Sequence, residues 1–274
     1  MSPRRKGVMT VDLEDYRHHE RERLTGVRTG FHPEEVGTQT ERLLDLFEAN
    51  DIGATFFTVG ELAPRLPKTL WRRMAHGHRV GCHGYRHRHV HRIGAATFRD
   101  DLRAGKNELQ DTTGLAVDSY RAPYFSADRC DPWFGEALAE AGFSWDSSRR
   151  LALMRSPGGV TSLPGGGDTV REVPLMSVGL GSKRLTVIGG TYFRLLPLAA
   201  IERLLDRAYV QGFAPMVYLH PYDIDANAEH LRFSGLGVRG ALGDRVRQWG
   251  RGGVADKLAA LCRRYDFGPL ESLL

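Results

Sequence analysis

Three short stretches of the chain combine residue types that can hold a metal ion and move protons: Asp12-Leu-Glu-Asp15, His83-Gly-Tyr-Arg-His87 and Leu219-His220-Pro221. Each comes at or just after an apolar run, where a core has no use for carboxylates or imidazoles. Six of the eleven histidines fall between His76 and His91. A single histidine is by default solvated or hydrogen-bonded, and His76, His78, His89 and His91 keep that role. His83 and His87 stand apart because they lie four residues apart directly after an apolar segment. That spacing predicts a helical turn with both imidazoles on one face. The carboxylates at residues 12–15 offer a third ligand. Two imidazoles and one carboxylate leave a coordination position open, as in catalytic rather than structural sites, and imply a divalent ion, with zinc the first expectation.

Residues so far apart in sequence need a scaffold that brings them together. Short apolar runs alternate with amphipathic segments. The run Val8 to Val11 precedes a helix from about Thr38 to Asn50 and the strand Ala54 to Val59. A helix near Pro67 to His76, the strand Arg79 to Cys82 and a helix opened by a capping box at Thr97 to Asp100 follow. Next come a strand at Ser119 to Arg121, a helix capped by Asp131 with Pro132 at its first position, and the strand Gly142 to Trp145. The Gly-, Pro- and Ser-rich stretch from Leu151 to Gly167 reads as a long loop. Strands near Val170 to Pro174 and Leu185 to Ile188, a helix from Pro197 to about Gln211, the strand Pro215 to Leu219 and a last helix from about Leu242 to Cys262 complete the pattern. Repeated β-then-α units with polar residues just past the strands predict an α/β fold, a distorted (β/α) barrel whose site lies at the C-terminal ends of its strands.

The 274 residues suffice for one large core, and no repeat or linker divides them, so one domain spanning 1–274 is expected. The net charge of +5 comes from arginines interspersed with acids, without the basic and aromatic stripe of a nucleic-acid site, so no nucleic-acid partner is expected. No apolar run is long enough to span a bilayer and no secretory pattern opens the chain. The widely spaced Cys82, Cys130 and Cys262 read as free thiols, and a cytoplasmic location is expected.

Taken in order, Asp12-Leu-Glu-Asp15, His83-Gly-Tyr-Arg-His87, Arg121-Ala-Pro-Tyr124, Trp145-Asp146-Ser-Ser148 and Leu219-His220-Pro221 resemble the motifs of the polysaccharide deacetylases, carbohydrate esterase family four. The stretches Gly189 to Pro197, Tyr218 to Asp225 and Phe267 to Leu270 are similar to the C-terminal extension of the branch associated with exopolysaccharide and exosortase loci. On this resemblance, residues from about 150 to 274 include that extension. The resemblance implies a metal-dependent hydrolase that removes the acetyl group of an N-acetylated sugar. It implies Asp12 as general base, His83, His87 and a following acidic residue as metal ligands, and His220 as general acid. Arg121 would orient Asp12, the Tyr124 backbone N–H would help hold the oxyanion, and Asp146 would pair with His220. The commonest family pattern has adjacent aspartates, whereas Leu13 follows Asp12 here; relatives with an Asp-x-Asp pattern favour Glu14 as third ligand, with Asp15 the alternative. Two rivals accompany this reading: another non-peptide C–N hydrolase on the same scaffold, and a non-catalytic sugar-binding or metal-storage protein.

Overall fold

The computed structural model describes residues 3–127, 130–152, 159–180, 183–186, 188–227, 245–246 and 248–273. In chain order the elements are β1 (Arg5–Leu13), α1 (Tyr16–Thr25), α2 (Pro33–Ala49), β2 (Ala54–Thr58), α3 (Lys68–Met74), β3 (His78–Cys82), α4 (Val90–Thr113), β4 (Ser119–Tyr120), α5 (Trp133–Glu140) and β5 (Trp145–Asp146). They continue with β6 (Arg150–Ala152), β7 (Thr161–Ser162), β8 (Arg171–Glu172), β9 (Leu175–Leu180), β10 (Lys183–Leu185), α6 (Gly190–Leu195), α7 (Leu198–Val210), β11 (Met216–Leu219), α8 (Val254–Cys262) and β12 (Tyr265–Gly268).

The main sheet runs β11-β1-β2-β3-β4-β5-β8-β7, with β12 also paired to β1, and every pairing except β7 with β8 is parallel. It curls into a half-barrel of the (β/α) type, mixed α/β in class. β1 pairs with three strands, β11, β2 and β12, and is buried without interruption from Gly7 to Leu13. Such a run lacks alternation because helices cover one face and the curled interior covers the other. Helix α2 opens with Pro33 at its start and Glu34 and Glu35 in its first turn, and buries Val36, Thr40, Leu43, Leu44 and Phe47 along one stripe. A second sheet, β10-β9-β6, lies beside the main one.

The register of the parallel strands creates the rim on which the chemistry sits. Leu13 pairs with Thr58, Thr58 with Cys82, Cys82 with Tyr120, and Tyr120 with Asp146. The next residue along each of four of these strands, Glu14, His83, Arg121 and Ser147, therefore falls in a single row. On the other side Val11 pairs with Leu219, which puts His220 level with Asp12.

Several elements depart from the sequence reading. Helix α1 has only Tyr16 and Leu24 as apolar positions and so shows no apolar stripe; its buried face is made of His18 and His19. The expected helical turn at 83–87 is absent: this segment is a loop with Gly84 at φ 74° and His87 at φ 51°. The two imidazoles meet because the chain reverses there, not because a helix repeats. Thr97 does not cap a helix, since α4 already begins at Val90 and kinks at Gly94 (φ 75°). Strand β5 starts at Trp145 rather than Gly142, α5 is capped at Pro132 rather than Asp131, and β9 and β12 are strands that the periodicity did not mark. The last helix starts at Val254, and residues 242–244 of its expected span lie outside the described residues.

The 83–88 loop is held from beneath by α4. Gly105 lets the helix approach, because a Cβ there would sit 3.0 Å from Cys82 Sγ and 3.1 Å from the Tyr85 nitrogen. Asp101, 8% exposed, accepts hydrogen bonds from the Tyr85 backbone N–H (2.7 Å) and from Arg88 (3.1 Å). Asp101→Ala leaves the half-buried Tyr85 N–H without its partner and is expected to lower unfolding free energy by about 1 kcal/mol. Urea denaturation checks this, and an unchanged midpoint would show that the loop does not depend on Asp101.

Candidate active site

Arg121 follows β4 directly, and its side chain is fully buried. Its guanidinium donates to Asp12 Oδ1 (2.7 Å), Thr10 Oγ1 (2.9 Å), the Ser147 carbonyl (3.0 Å) and Ser147 Oγ (3.0 Å), and lies 4.3 Å from the centre of the Phe57 ring. Burial alone would raise the pKa of Asp12. The charge of Arg121, its hydrogen bond and the charge of His220 outweigh burial and hold the carboxyl below its ordinary value. Asp12 is therefore ionised at neutral pH and able to accept a proton.

His83 and His87 are 2% and 6% exposed. His83 Nδ1 donates to the Arg121 carbonyl (2.8 Å), which leaves Nε2 as the ligating nitrogen. Burial pushes both histidines below their ordinary pKa, His87 furthest because the neighbouring His83 adds to it. Neutral imidazoles are the form that binds a metal. Glu14 joins them: its Oε2 lies 2.6 Å from His87 Nε2, and ligand atoms of Glu14, His83 and His87 lie within 4.8 Å of one another. His87 Nδ1 is buried without a hydrogen-bond partner. The donor set of two imidazoles and one carboxylate fits a divalent transition metal. Asp15 turns the other way. It caps α1 through the His18 N–H (3.0 Å) and also accepts from the His32 N–H (2.5 Å).

His220 follows β11 and faces this cluster, its Nε2 3.8 Å from Glu14 Oε1. The expected pairing of His220 with Asp146 does not occur. Asp223 takes that place: its Oδ2 accepts from His220 Nδ1 (3.0 Å) and from the His220 backbone N–H (2.9 Å). Beyond it, Arg194 Nε lies 2.8 Å from Asp223 Oδ1, with both side chains inaccessible to solvent. Burial opposes a charge on His220, but the hydrogen bond and charge of Asp223, followed by Glu14 and Asp12, raise its pKa to about 9. Tyr222 stacks on the imidazole at 4.7 Å. Asp146 has a structural partner instead: it accepts from Ser148 Oγ (2.5 Å), and Ser148 Oγ accepts from the Ala122 N–H (2.8 Å). This chain of bonds holds the turn that carries Tyr124, a non-glycine residue at φ 58°. Buried beside each other, Asp146 and Glu172 are both pushed upward in pKa by desolvation.

A cleft of about 490 Å³ opens beside this cluster, with Glu14, Tyr16, His19, His87, Tyr124, His220 and Tyr222 among its walls. The sequence reading missed Asp223, Arg194 and His19. Asp223 carried a signal, since an acid three residues into a Pro-started turn is the capping-box position, which it occupies. Arg194 carried none, because its distance from His220 is set by how α6 packs.

Residues 33–141 match the polysaccharide deacetylase family, and residues 149–274 match a domain of unknown function, DUF3473, which marks the exopolysaccharide-associated branch. The chain carries a polysaccharide deacetylase domain. The first match contains His83, His87, Arg121 and Tyr124; Asp12 and Glu14 precede it, and His220 and Asp223 fall in the second. Among curated proteins the chain is 34% identical over 96 residues to a chitin deacetylase of Colletotrichum lindemuthianum, covering 33% of this chain and 39% of that protein. It is 30% identical over 122 residues to a peptidoglycan deacetylase of Helicobacter pylori, covering 44% and 40%. The chain thus spans well under half the length of these relatives. A crystal structure from Mycobacterium smegmatis assigned to the polysaccharide deacetylases covers 100% of this chain and 91% of its own, with TM-score 0.63 and 20% identity, and shares the fold.

Two measurements test the geometry. Glu14→Ala is expected to lose bound metal while Asp15→Ala keeps most of it and instead loses about 1 kcal/mol of stability as a helix cap; equal metal content in the two variants would remove Glu14 from the site. With Asp223 in place His220 stays protonated as pH rises until about 9. In Asp223→Asn the largest raising influence is gone while burial still opposes the charge and Glu14 and Asp12 offset it only in part, so the imidazole should titrate well below that value. NMR titration of His220 reads this, and an unshifted midpoint would refute the role of Asp223.

Proposed function

We propose that the protein is a metal-dependent N-deacetylase that hydrolyses the acetamide of an N-acetylated sugar. The observation that carries this reading is the convergence on one rim of an ionised carboxylate clamped by Arg121, a two-histidine, one-carboxylate cluster, and an imidazole kept protonated by Asp223. Amide hydrolysis needs all three, because water is a weak nucleophile, the acetyl carbonyl is unreactive and an amine leaves poorly unless protonated.

Glu14, His83 and His87 would hold the metal, with zinc the first choice for this donor set. Once bound there it would supply Lewis-acid polarisation of water and of the acetyl carbonyl. Asp12 accepts the proton of the attacking water, and Arg121 keeps the carboxylate aimed and charged. The Tyr124 backbone N–H offers a hydrogen bond to the carbonyl oxygen as it gains charge. His220 hands its Nε2 proton to the departing nitrogen, and Asp223 stabilises the imidazole while it carries that proton. Aromatic walls of Tyr124 and Tyr222 suit the apolar face of a sugar ring between polar groups.

We read the whole chain as one catalytic domain, supported by β11 and β12, which come from the C-terminal part and both pair with β1 from the N-terminus. Substrates that fit are polysaccharide precursors, lipid-linked or nucleotide acetamido sugars, and glycosylated metabolites. Cytoplasmic action is supported by Cys82, Cys130 and Cys262, which are buried free thiols, and no helix among the described residues is long and apolar enough to cross a membrane.

Asp12→Asn is expected to keep the metal and lose about 10²-fold to 10⁴-fold in turnover of an N-acetyl sugar, because an amide preserves the contact with Arg121 but cannot accept the proton. His220→Ala should lose a similar factor on the acetamide and far less on an activated acetate ester, whose leaving group needs no proton. Equal losses on both substrates would show that His220 shapes the cleft rather than acting as the acid.

A further inference from the structure

Next to the catalytic cluster lies a second set of metal-binding side chains that the deacetylation mechanism does not use. His18 and His19 on α1 and Glu61, on the 3-10 turn after β2, are 1%, 3% and 9% exposed, and a ligand atom from each lies within 4.8 Å of the other two. Consecutive residues on a helix point about 100° apart, yet the two rings meet edge to face with centroids 5.1 Å apart. Phe31 stacks on His18 at 4.0 Å and fixes that ring. Neither ring nitrogen of His19 has a hydrogen-bond partner, and His18 Nδ1 has none either. Buried imidazole nitrogens without partners are costly, and three of them within one small cluster call for a ligand.

The ligand's charge is already represented. Arg28 reaches in from the surface, its guanidinium 2.5 Å from Glu61 Oε1 and 3.4 Å from His18 Nε2, with 39% of its side chain exposed. A cation is thus accommodated against Glu61, but a guanidinium has no lone pair to accept from and no capacity to satisfy an imidazole acceptor other than by donating one N–H. His19 is left out of its reach and instead lies 3.9 Å from Glu14 Oε2, on the side of the catalytic cluster.

We propose that His18, His19 and Glu61 bind a second divalent transition-metal ion, separate from the one assigned to Glu14, His83 and His87, and that Arg28 competes with this ion for Glu61. Two imidazoles and one carboxylate favour zinc, cobalt or nickel over magnesium or calcium, which prefer all-oxygen shells. On binding, the ion displaces the Arg28 side chain outward to solvent, where its charge is readily hydrated.

The test is a zinc titration of chelator-stripped full-length protein, with bound metal counted by elemental analysis and affinities read by calorimetry. Wild type should take two ions per chain. His19→Ala and Glu61→Gln should each take one, and His83→Ala should also take one, retaining the site at α1. Arg28→Gln, a change at a partly exposed side chain, should tighten the second binding event at least tenfold because the competitor is gone. A single ion in wild type that His19→Ala retains and His83→Ala loses overturns the proposal, as does two-ion binding in both His19→Ala and Glu61→Gln, or an unchanged second affinity in Arg28→Gln. The His83→Ala arm keeps this result distinct from a failure of the catalytic site, since loss there would leave the second ion in place.

Discussion

The buried pair of Arg121 and Asp12 is the contact on which the rest of the site depends. A guanidinium with no solvent exposure survives only if each face of it is engaged, and here carboxylate, hydroxyl and carbonyl oxygens from β1 and from the turn after β5 do so. Such a pair adds little net stability compared with apolar residues of the same shape, but losing one partner strands a charge at a cost of about 3–5 kcal/mol. Its contribution is therefore placement. The same residue also presents its carbonyl to His83 Nδ1, so the orientation of the Asp12 carboxylate and the tautomer of His83 are fixed from one point.

The position of β1 explains how two dissimilar parts of the chain make one site. It pairs with β11 along one edge and with β12 and then β2 along the other, so strands from the C-terminal part flank it on both sides. The segment matching the deacetylase family supplies the two histidines proposed as ligands and Arg121, whereas the proposed acid His220 and its supports, Asp223 and Arg194, come from the segment matching DUF3473. Neither half holds the complete set. Acid and base are pulled apart in pKa by their surroundings, with Arg121 beside one and Asp223 beside the other, although both are buried in the same wall.

Much of this was legible in the residues themselves. Strand-end carboxylates, a histidine pair after an apolar run and a His-Pro after the last long apolar strand identified Asp12, His83, His87 and His220 as a group, because polar residues at strand ends of a parallel sheet must share a rim. The β-then-α order gave the half-barrel, since apolar runs of strand length between amphipathic helices have few other ways to bury both faces.

What the sequence could not decide was set by packing between distant segments. Periodicity predicted a helical turn at 83–87, but Gly84 and His87 adopt left-handed backbone conformations over α4, where Gly105 admits the loop. Helix α1 hid because histidines replace its apolar stripe. The partner of His220 was misassigned for a related reason: Asp146 ends one strand and Asp223 sits in the turn just past another, and only the three-dimensional course of the chain shows that Ser148 engages the first while the turn at Pro221 folds the second onto the imidazole. Residue type and local spacing fixed which groups could do chemistry and on which end of the sheet; hydrogen-bond partners depend on side-chain directions of about an ångström's tolerance, and those are determined by tertiary packing alone.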